Sequence, residues 1–347
     1  MDSLPRSAPP SGACLDDIAQ LIVHTPLLEL DYALDGRPRR LYAKYEQQNM
    51  TGSVKDRMAE YILRRAYESR ELRRGDTIVE ASSGNTGISF AAIGRAVGHP
   101  VRIYMPNWMS QERVRLIQSL GAEIIPVSAE QGGFLGSIRM ADEYASQHNH
   151  VFLPRQFDNP ANIDAHYATT GPEIEAQLAV LGLEADAFIA GVGTGGTVMG
   201  VGRYLRRNGR RVRVHPLEPA NSPTMRTGCK IGAHRIQGIS DEFVPSIVKL
   251  DEVDAVVDVW DGDSILMAQE LCVQLGLAVG ISSGANFLGA AKVLEELGAD
   301  ATVVTVFPDC NKKYLSTDLC RREPVGDDYL TPRIKLERFK ALRAPVG

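Results

Sequence analysis

Short β-branched apolar segments alternate with longer segments of helical periodicity between Asp76 and Phe307, and this alternation constrains the fold more than any other feature. In the longer segments apolar residues recur every three or four positions, as on one face of an amphipathic helix. Strands that alternate with helices form βαβ units, in which the strands lie parallel. The sequence therefore predicts an α/β fold with doubly wound parallel sheets.

The predicted elements follow one another along the chain. The predicted strands are 76–80, 101–105, 123–127, 187–190, 212–218 and 302–307. The predicted helices are 86–97, 110–120, 134–147, 197–207, 263–275 and 284–297. From about Arg321 the chain is charged and carries one short helical pattern, so we expect that segment to pack on the surface or on a partner.

Charge and composition limit the classes of function. The chain has 38 basic and 43 acidic residues and a formal charge of −5, so it has no general attraction for nucleic acid or acidic membranes. No apolar stretch reaches the roughly 18–20 residues of a membrane helix, and no export signal is recognisable. The five cysteines form no C-x-x-C pair, and the histidines have no metal-ligand spacing. We expect a cytoplasmic protein without a metal site that acts on a small molecule.

The turn after the predicted strand 76–80 reads Ala-Ser-Ser-Gly-Asn-Thr-Gly over residues 81–87 and opens a helix. Ligands of open α/β sheets bind at the carboxyl ends of strands, and helix N-termini favour anions. The candidate ligands of a carboxylate here are Ser82, Ser83, Gly84, Asn85 and Thr86. The same residues also suit a plain helix cap that binds no ligand.

A second turn, residues 191–197, reads Gly-Val-Gly-Thr-Gly-Gly-Thr before a predicted helix. Consecutive amides with little side-chain bulk can surround a phosphate, and the candidates are Gly193, Thr194, Gly195, Gly196 and Thr197. The turn also satisfies G-x-G-x-x-G, with Glu218 ending the next predicted strand. An NAD-dependent dehydrogenase is therefore an alternative hypothesis.

Lys55 distinguishes these hypotheses, because it follows a loop at the start of a helical pattern. The positive end of the helix dipole disfavours a protonated lysine, and a neutral amine is the form that makes a Schiff base. A single lysine is more often a solvated surface group. The combination of this lysine with the two glycine-containing turns favours the Schiff-base interpretation.

Four motifs together resemble the cysteine synthase family of pyridoxal phosphate (PLP) enzymes, which includes the cystathionine β-synthase cores. They are Ser-Val-Lys-Asp-Arg at 53–57, Ser-Gly-Asn-Thr-Gly at 83–87, Gly-Thr-Gly-Gly-Thr at 193–197 and Gly-Ile-Ser-Ser-Gly at 280–284. The resemblance covers roughly residues 25–318. It implies fold type II, as in the β-subunit of tryptophan synthase.

The resemblance also implies a role for each matching residue. Lys55 would bind the cofactor aldehyde and later move the substrate α-proton, and Asn85 would bond the cofactor ring oxygen. Residues 82–86, with Gln156, would bind the substrate α-carboxylate. Residues 193–197 would bind the cofactor phosphate, and Ser283 would face the pyridine nitrogen without forcing its protonation.

The implied reaction is β-replacement on an L-serine-derived or L-cysteine substrate through an aminoacrylate intermediate, as in cysteine synthase, where sulfide or another nucleophile adds. The alternative within this class is a cysteine-consuming lyase that releases hydrogen sulfide and leaves serine, lanthionine or pyruvate. The dehydrogenase hypothesis gives Lys55, Asn85 and Ser283 no role. A binding protein that had lost catalysis would have no reason to retain them.

Two departures from the family pattern concern substrate choice. Ser240-Asp241-Glu242 stands where family members that make cysteine carry small residues. We therefore hypothesise that Asp241 is a general base that activates water or a second amino acid, with Glu242 as the less favoured candidate for this role. A solvated loop carboxylate is the simpler interpretation. The segment Pro-Asp-Cys-Asn-Lys-Lys at 308–313 precedes Tyr314, where many members have a Ser-Ser-Gly segment before the tyrosine. Cys310 is a candidate neighbour of the cofactor, although a lone cysteine at a strand end is more often a packing residue.

The resemblance implies two lobes and a homodimer. We expect a flexible N-terminus at 1–12, a large lobe formed by 13–47 with 154–320, a small mobile lobe at 48–153 and a C-terminal tail at 321–347. The small lobe would carry the carboxylate loop and the large lobe the phosphate-binding turn. Closure of the small lobe on the substrate would exclude water.

Overall fold

Two β-sheets organise the part of the chain that the computed structural model describes, residues 14–239 and 242–344. The strands are β1 (Leu27–Leu34), β2 (Arg37–Tyr45), β3 (Thr77–Ala81), β4 (Val101–Pro106), β5 (Glu123–Val127), β6 (Val151–Phe152), β7 (Ala187–Gly191), β8 (Arg213–Pro219), β9 (Val257–Val259), β10 (Val303–Phe307) and β11 (Ile334–Leu342).

Helices connect these strands. They are α1 (Leu15–Ala19), α2 (Lys55–Ser69), α3 (Asn85–Ala96), α4 (Gln111–Ser119), α5 (Gly133–Gln147), α6 (Ala161–Ala165), α7 (Gly171–Ala179), α8 (Gly196–Arg206), α9 (Thr224–Thr227), α10 (Asp261–Leu275) and α11 (Ile281–Leu297). A π-helical turn, His166–Thr170, joins α6 to α7. Within the described residues, no helix is both long and apolar enough to cross a membrane.

The smaller sheet has the order β5-β4-β3-β6, and all its strands are parallel. The larger sheet has the order β11-β1-β2-β10-β7-β8-β9. Its strands from β2 to β9 are parallel, whereas β1 pairs antiparallel with both β2 and β11. The predicted α/β class with wound parallel sheets is confirmed, and the larger sheet is extended by antiparallel strands.

All the predicted strands and helices occur, with ends displaced by a few residues at most. The hairpin of β1 and β2 was absent from the prediction, although Asp35-Gly36 between them is a strong hairpin signal. Both residues have positive φ, 50° and 75°, which suits the twist of a two-residue turn.

The prediction of a short helix after Arg321 was wrong, because the C-terminal segment ends in a strand, β11. Ile334, Leu336 and Leu342 of this strand are buried, and charged residues between them are exposed. That alternation fits a strand with one covered face. Pairing with β1 satisfies backbone groups that the edge of the sheet would otherwise expose.

A buried ion network lies beside the start of α2. The Arg57 guanidinium contacts Glu46 at 2.6 Å and Glu173 at 2.7 Å, and Lys44 Nζ contacts Glu173 at 2.7 Å. Burial by itself would raise the pKa of Glu173, but the charges of Arg57 and Lys44 lower it to about 2. The network fixes α2 against β2 and α7, and so fixes the first residue of α2, Lys55.

Candidate active site

One cavity contains most of the residues that the sequence singled out. It lies at the ends of β3 and β7, where the turns that follow these strands face each other. Of the predicted site residues, those lining the cavity are Lys55, Ser82, Ser83, Gly84, Asn85, Thr86, Gln156, Gly193, Thr194 and Thr197. Gly195, Gly196 and Ser283 are not among the lining residues, but their chain neighbours Thr194, Thr197 and Ser282 are.

Lys55 is the first residue of α2 and is half-buried. Its backbone N–H donates to the Ser53 hydroxyl at 3.3 Å, and the Val54 N–H donates to the Pro308 carbonyl at 2.8 Å. The next residue, Asp56, is buried and accepts a bond from the Ser89 hydroxyl at 2.6 Å. These bonds hold the lysine at the cavity wall.

The carboxylate loop, residues 82–86, opens α3. The Ser82 hydroxyl accepts the N–H groups of Gly84 at 3.1 Å and Gly87 at 2.8 Å. The Thr86 hydroxyl donates to Gln156 Oε1 at 2.6 Å, and Gln156 Nε2 donates to the Ala81 carbonyl at 2.8 Å. The predicted substrate ligands Thr86 and Gln156 are therefore in direct contact, beside a helix N-terminus that favours an anion.

Glu80 supports this loop from behind and was not singled out by the sequence. Its two carboxyl oxygens accept the N–H groups of Ala81 at 2.9 Å and Gln156 at 3.3 Å. Burial raises the pKa of Glu80 to about 8, because the carboxylate form loses its hydration and the two N–H groups and the charge of Arg155 offset only part of this loss. The group is consequently held mostly neutral at pH 7.

The phosphate-binding turn, residues 191–197, needs its glycines. A β-carbon on Gly193 would overlap the Gly238 carbonyl, and one on Gly196 would overlap the Asn162 carboxamide. Gly195 has φ +90°, a conformation that L side chains rarely adopt. The turn ends at the N-terminus of α8, so its backbone amides form an anion site.

His166 is a second residue that the sequence interpretation missed. Its Nε2 lies 3.2 Å from the Thr197 hydroxyl, and its Nδ1 lies 2.8 Å from the Thr170 hydroxyl. Burial, assisted by the positive charge of Arg57, lowers the pKa of His166 to about 3. A neutral imidazole therefore supports the phosphate-binding turn, and a pair of hydroxyls fixes its orientation.

Ser283 and Asn85 each carry a buried polar atom without a hydrogen-bond partner among the described residues. These atoms are Ser283 Oγ, in the first turn of α11, and Asn85 Oδ1, at the first residue of α3. Unpaired buried polar atoms are costly in a folded protein, so they mark positions where a ligand can complete the bonding.

The remaining sequence hypotheses have different outcomes. Asp241 lies outside the described residues. Glu242 Oε1 lies 4.0 Å from Lys230 Nζ. Glu218 is fully buried and binds the Met225 N–H at 2.6 Å and Arg226 Nε at 2.8 Å, so neither of its oxygens is available for the ribose of a dinucleotide.

The sequence pattern of the family described as "Pyridoxal-phosphate dependent enzyme" matches residues 18–309. This chain belongs to that family. A cysteine synthase from Staphylococcus aureus is 39% identical over 305 residues, which cover 88% of this chain and 97% of that protein. The chain is therefore a PLP-dependent enzyme of fold type II.

Solved structures extend the comparison. A hydrogen sulfide-producing enzyme from Fusobacterium nucleatum is 54% identical, covers 95% of this chain and 98% of its own, and has a TM-score of 0.93. A variant of that enzyme with an aspartate changed to asparagine, at TM-score 0.91 and 93% and 97% coverage, holds an α-aminoacrylate intermediate. O-ureido-L-serine synthase is 35% identical, covers 90% of this chain and 96% of its own, and has a TM-score of 0.82.

The cavity fits PLP on its own geometry. The glycine turn at α8 offers amides for a phosphate, and Lys55 offers an amine in the same cavity. The unpaired Ser283 hydroxyl and Asn85 carboxamide oxygen are polar groups of the kind that a substituted pyridine ring can complete. The residues therefore suit a cofactor with a phosphate, an aldehyde and a polar aromatic ring.

Proposed function

We propose that this enzyme carries out β-replacement on an L-serine-derived amino acid or L-cysteine, the reaction class of the cysteine synthases. One observation carries the proposal. An anion-binding helix start with Thr86 and Gln156 shares a single cavity with Lys55 and the glycine turn of α8. An amino acid carboxylate and a PLP phosphate can thus be bound in the same cavity as the Lys55 amine. PLP, when bound, supplies an electron sink for bond cleavage at the substrate α- and β-carbons.

The chain's own residues then divide the work. The carboxylate loop, with Gln156, binds and orients the α-carboxylate through N–H and hydroxyl donors. Lys55 Nζ takes the α-proton and returns it after the new bond has formed. The backbone amides of residues 193–197 bind the phosphate. The Ser283 hydroxyl offers the ring nitrogen a neutral partner, which favours loss of the β-substituent over transamination.

A second candidate function differs in donor and nucleophile. Cysteine is the donor, water or a second amino acid is the nucleophile, and sulfide leaves; with water, cysteine and water give serine and hydrogen sulfide. The specific support is the 54% identity to a hydrogen sulfide-producing enzyme, against 39% to the cysteine synthase. That enzyme's aspartate-to-asparagine variant with bound α-aminoacrylate favours a carboxylate in the second half of the reaction.

Asp241 is the proposed general base for that second half. It would take a proton from the incoming water, or from the thiol of a second cysteine, as the bond to the β-carbon forms. Its neighbour Glu242 is paired with Lys230, which favours Asp241 over Glu242 for the role.

We further infer a homodimer in the cytoplasm, with residues 48–153 as the lobe that closes on the substrate carboxylate.

The deciding experiment is a visible absorption spectrum of the purified enzyme with PLP, followed by separate additions of O-acetylserine, serine and cysteine. Lys55→Ala is the control, since it should abolish turnover with every donor. Consumption of O-acetylserine with added sulfide supports synthesis, whereas sulfide release from cysteine supports the second candidate. A protein that binds no PLP, or a Lys55→Ala variant with full turnover, would contradict both.

The role of Asp241 is tested separately with Asp241→Asn and the matched variant Glu242→Gln. If Asp241 is the base, sulfide release from cysteine slows by about 10² or more in the first variant. The second variant should retain wild-type turnover. Equal turnover of Asp241→Asn with every donor would remove Asp241 from the mechanism and leave the β-replacement class intact.

A further inference from the structure

Asp309 is fully buried and lies two residues after the end of β10. None of the roles described above uses this residue. Its backbone joins two of the motif segments. The Asp309 carbonyl accepts the Gly280 N–H at 3.0 Å, and Ser53 forms an antiparallel bridge with Asp309. The residue therefore lies where the Lys55 segment meets the segment that leads to Ser283.

The Asp309 side chain reaches a third motif segment. Its Oδ2 accepts a bond from Asn85 Nδ2 at 2.7 Å and another from the Tyr314 hydroxyl. Asp309 and Asn85 are 224 residues apart in the chain, and they follow strands of two different sheets, β10 and β3. A β-carbon on Gly280 would overlap Asp309 Oδ1, so the missing side chain at Gly280 provides the space for this carboxyl group.

These bonds decide how the Asn85 carboxamide is turned. A carboxamide has one donor end and one acceptor end, and only a partner distinguishes the two orientations. An acceptor-only carboxylate at Asp309 fixes the Nδ2 end on its own side. One N–H of Nδ2 and the unpaired Oδ1 then remain for the cavity, which Asn85 lines.

We infer that Asp309 is a positioning residue, which orients the Asn85 carboxamide toward the cofactor ring. The inference rests on the proposed function, because it takes Asn85 as the residue that contacts the ring oxygen. Without the carboxylate, the Asn85 amide can turn over, and Nδ2 loses a buried acceptor. Asp309 is not among the residues that line the cavity, whereas Asn85 is, so its effect on the cofactor is exerted through Asn85.

The test is a double-mutant cycle on cofactor affinity, measured by titrating the full-length apoenzyme with PLP. Asn85→Ala and Asp309→Ala should each weaken PLP binding by about tenfold, the value of one well-made hydrogen bond in a buried site. The double variant should bind PLP as Asn85→Ala does, within about twofold, because Asp309 has nothing left to orient. Asp309→Asn retains an acceptor oxygen and should stay within about threefold of wild type.

Asp263→Ala is the matched control, since Asp263 is also a buried aspartate that accepts two bonds, from the Leu330 and Thr331 N–H groups. It should lower stability without changing PLP affinity. If Asp309→Ala does not fold, Asp309→Ser takes its place in the cycle. Multiplicative losses in the double variant, about a hundredfold, would overturn the inference and leave the proposed function standing. An Asn85→Ala variant with wild-type affinity would overturn the cofactor contact of Asn85 as well.

Discussion

Glu80 should make the free energy of unfolding depend on pH, and a single substitution should remove this contribution. Its carboxyl group is buried behind the carboxylate loop, and its pKa rises from 4.5 to about 8 because burial penalises the charged form. In the unfolded chain the same group ionises at its ordinary pKa. At any pH between these two pKa values, the folded protein therefore keeps a proton on Glu80 that the unfolded chain releases.

The sign follows from proton linkage. A group whose pKa is raised in the folded state stabilises that state fully below its unfolded pKa, here about 4.5, and loses this contribution as the pH rises toward about 8. Each pH unit in that window costs about 1.4 kcal/mol of the free energy of unfolding. Between pH 5 and pH 7 the carboxyl group should thus cost the wild type about 2–3 kcal/mol.

Glu80→Gln keeps the shape of the side chain and one of its two acceptor oxygens, and it does not ionise. The loss of the second acceptor is the same at every pH, so the variant's free energy of unfolding relative to wild type should still increase by about 2–3 kcal/mol from pH 5 to pH 7 and level off above about pH 8. Urea titrations at fixed PLP concentration measure this difference at each pH. A pH-independent difference for Glu80→Gln would refute the linkage.

Three further substitutions test the site and its support. Gly196→Ala places a β-carbon against the Asn162 carboxamide, so PLP affinity of the apoenzyme should fall by tenfold or more; unchanged affinity would show that the turn has room to spare. Thr86→Val leaves Gln156 Oε1 without its donor and should raise KM for the amino acid more than it lowers kcat, as steady-state kinetics would reveal. Arg57→Met removes the ion-pair partner of the fully buried Glu46 and leaves Glu173 with Lys44 alone, so it should destabilise the fold by about 3–5 kcal/mol in urea unfolding, whereas a loss below about 1 kcal/mol would contradict the weight given to the network.

The sequence predicted those parts of the site that local rules control. Residues 81–87 and 191–197 follow strands and open helices, and both properties depend on neighbours in the chain. Gly195 has positive φ and Gly196 tolerates no β-carbon, as a glycine-rich anion turn requires. Such rules did not determine that the two turns meet at one cavity, because residues 81–87 follow β3 of the smaller sheet and residues 191–197 follow β7 of the larger one.

The supporting residues were beyond sequence reasoning because their roles come from distant partners. His166 is one histidine among seven until Thr197 lies beside it, and Glu80 is an ordinary strand-end glutamate until Gln156 closes over it. The sequence interpretation noted Asp309 as a departure from its relatives and assigned it no role. Its bond to Asn85 exists only because two sheets bring the segments together.

The sequence by itself determined the α/β class, the order of strands and helices, and the turns that bind anions, since periodicity, glycine placement and helix starts are written in neighbouring residues. Tertiary structure alone decided that β11 pairs with β1, that Glu80 is held neutral, and that Asn85 is turned by Asp309. These features depend on burial and on contacts between segments far apart in the chain. Burial raises the free energy of a charged group, and a hydrogen-bond partner from a distant segment fixes a side-chain orientation that neighbouring residues do not determine.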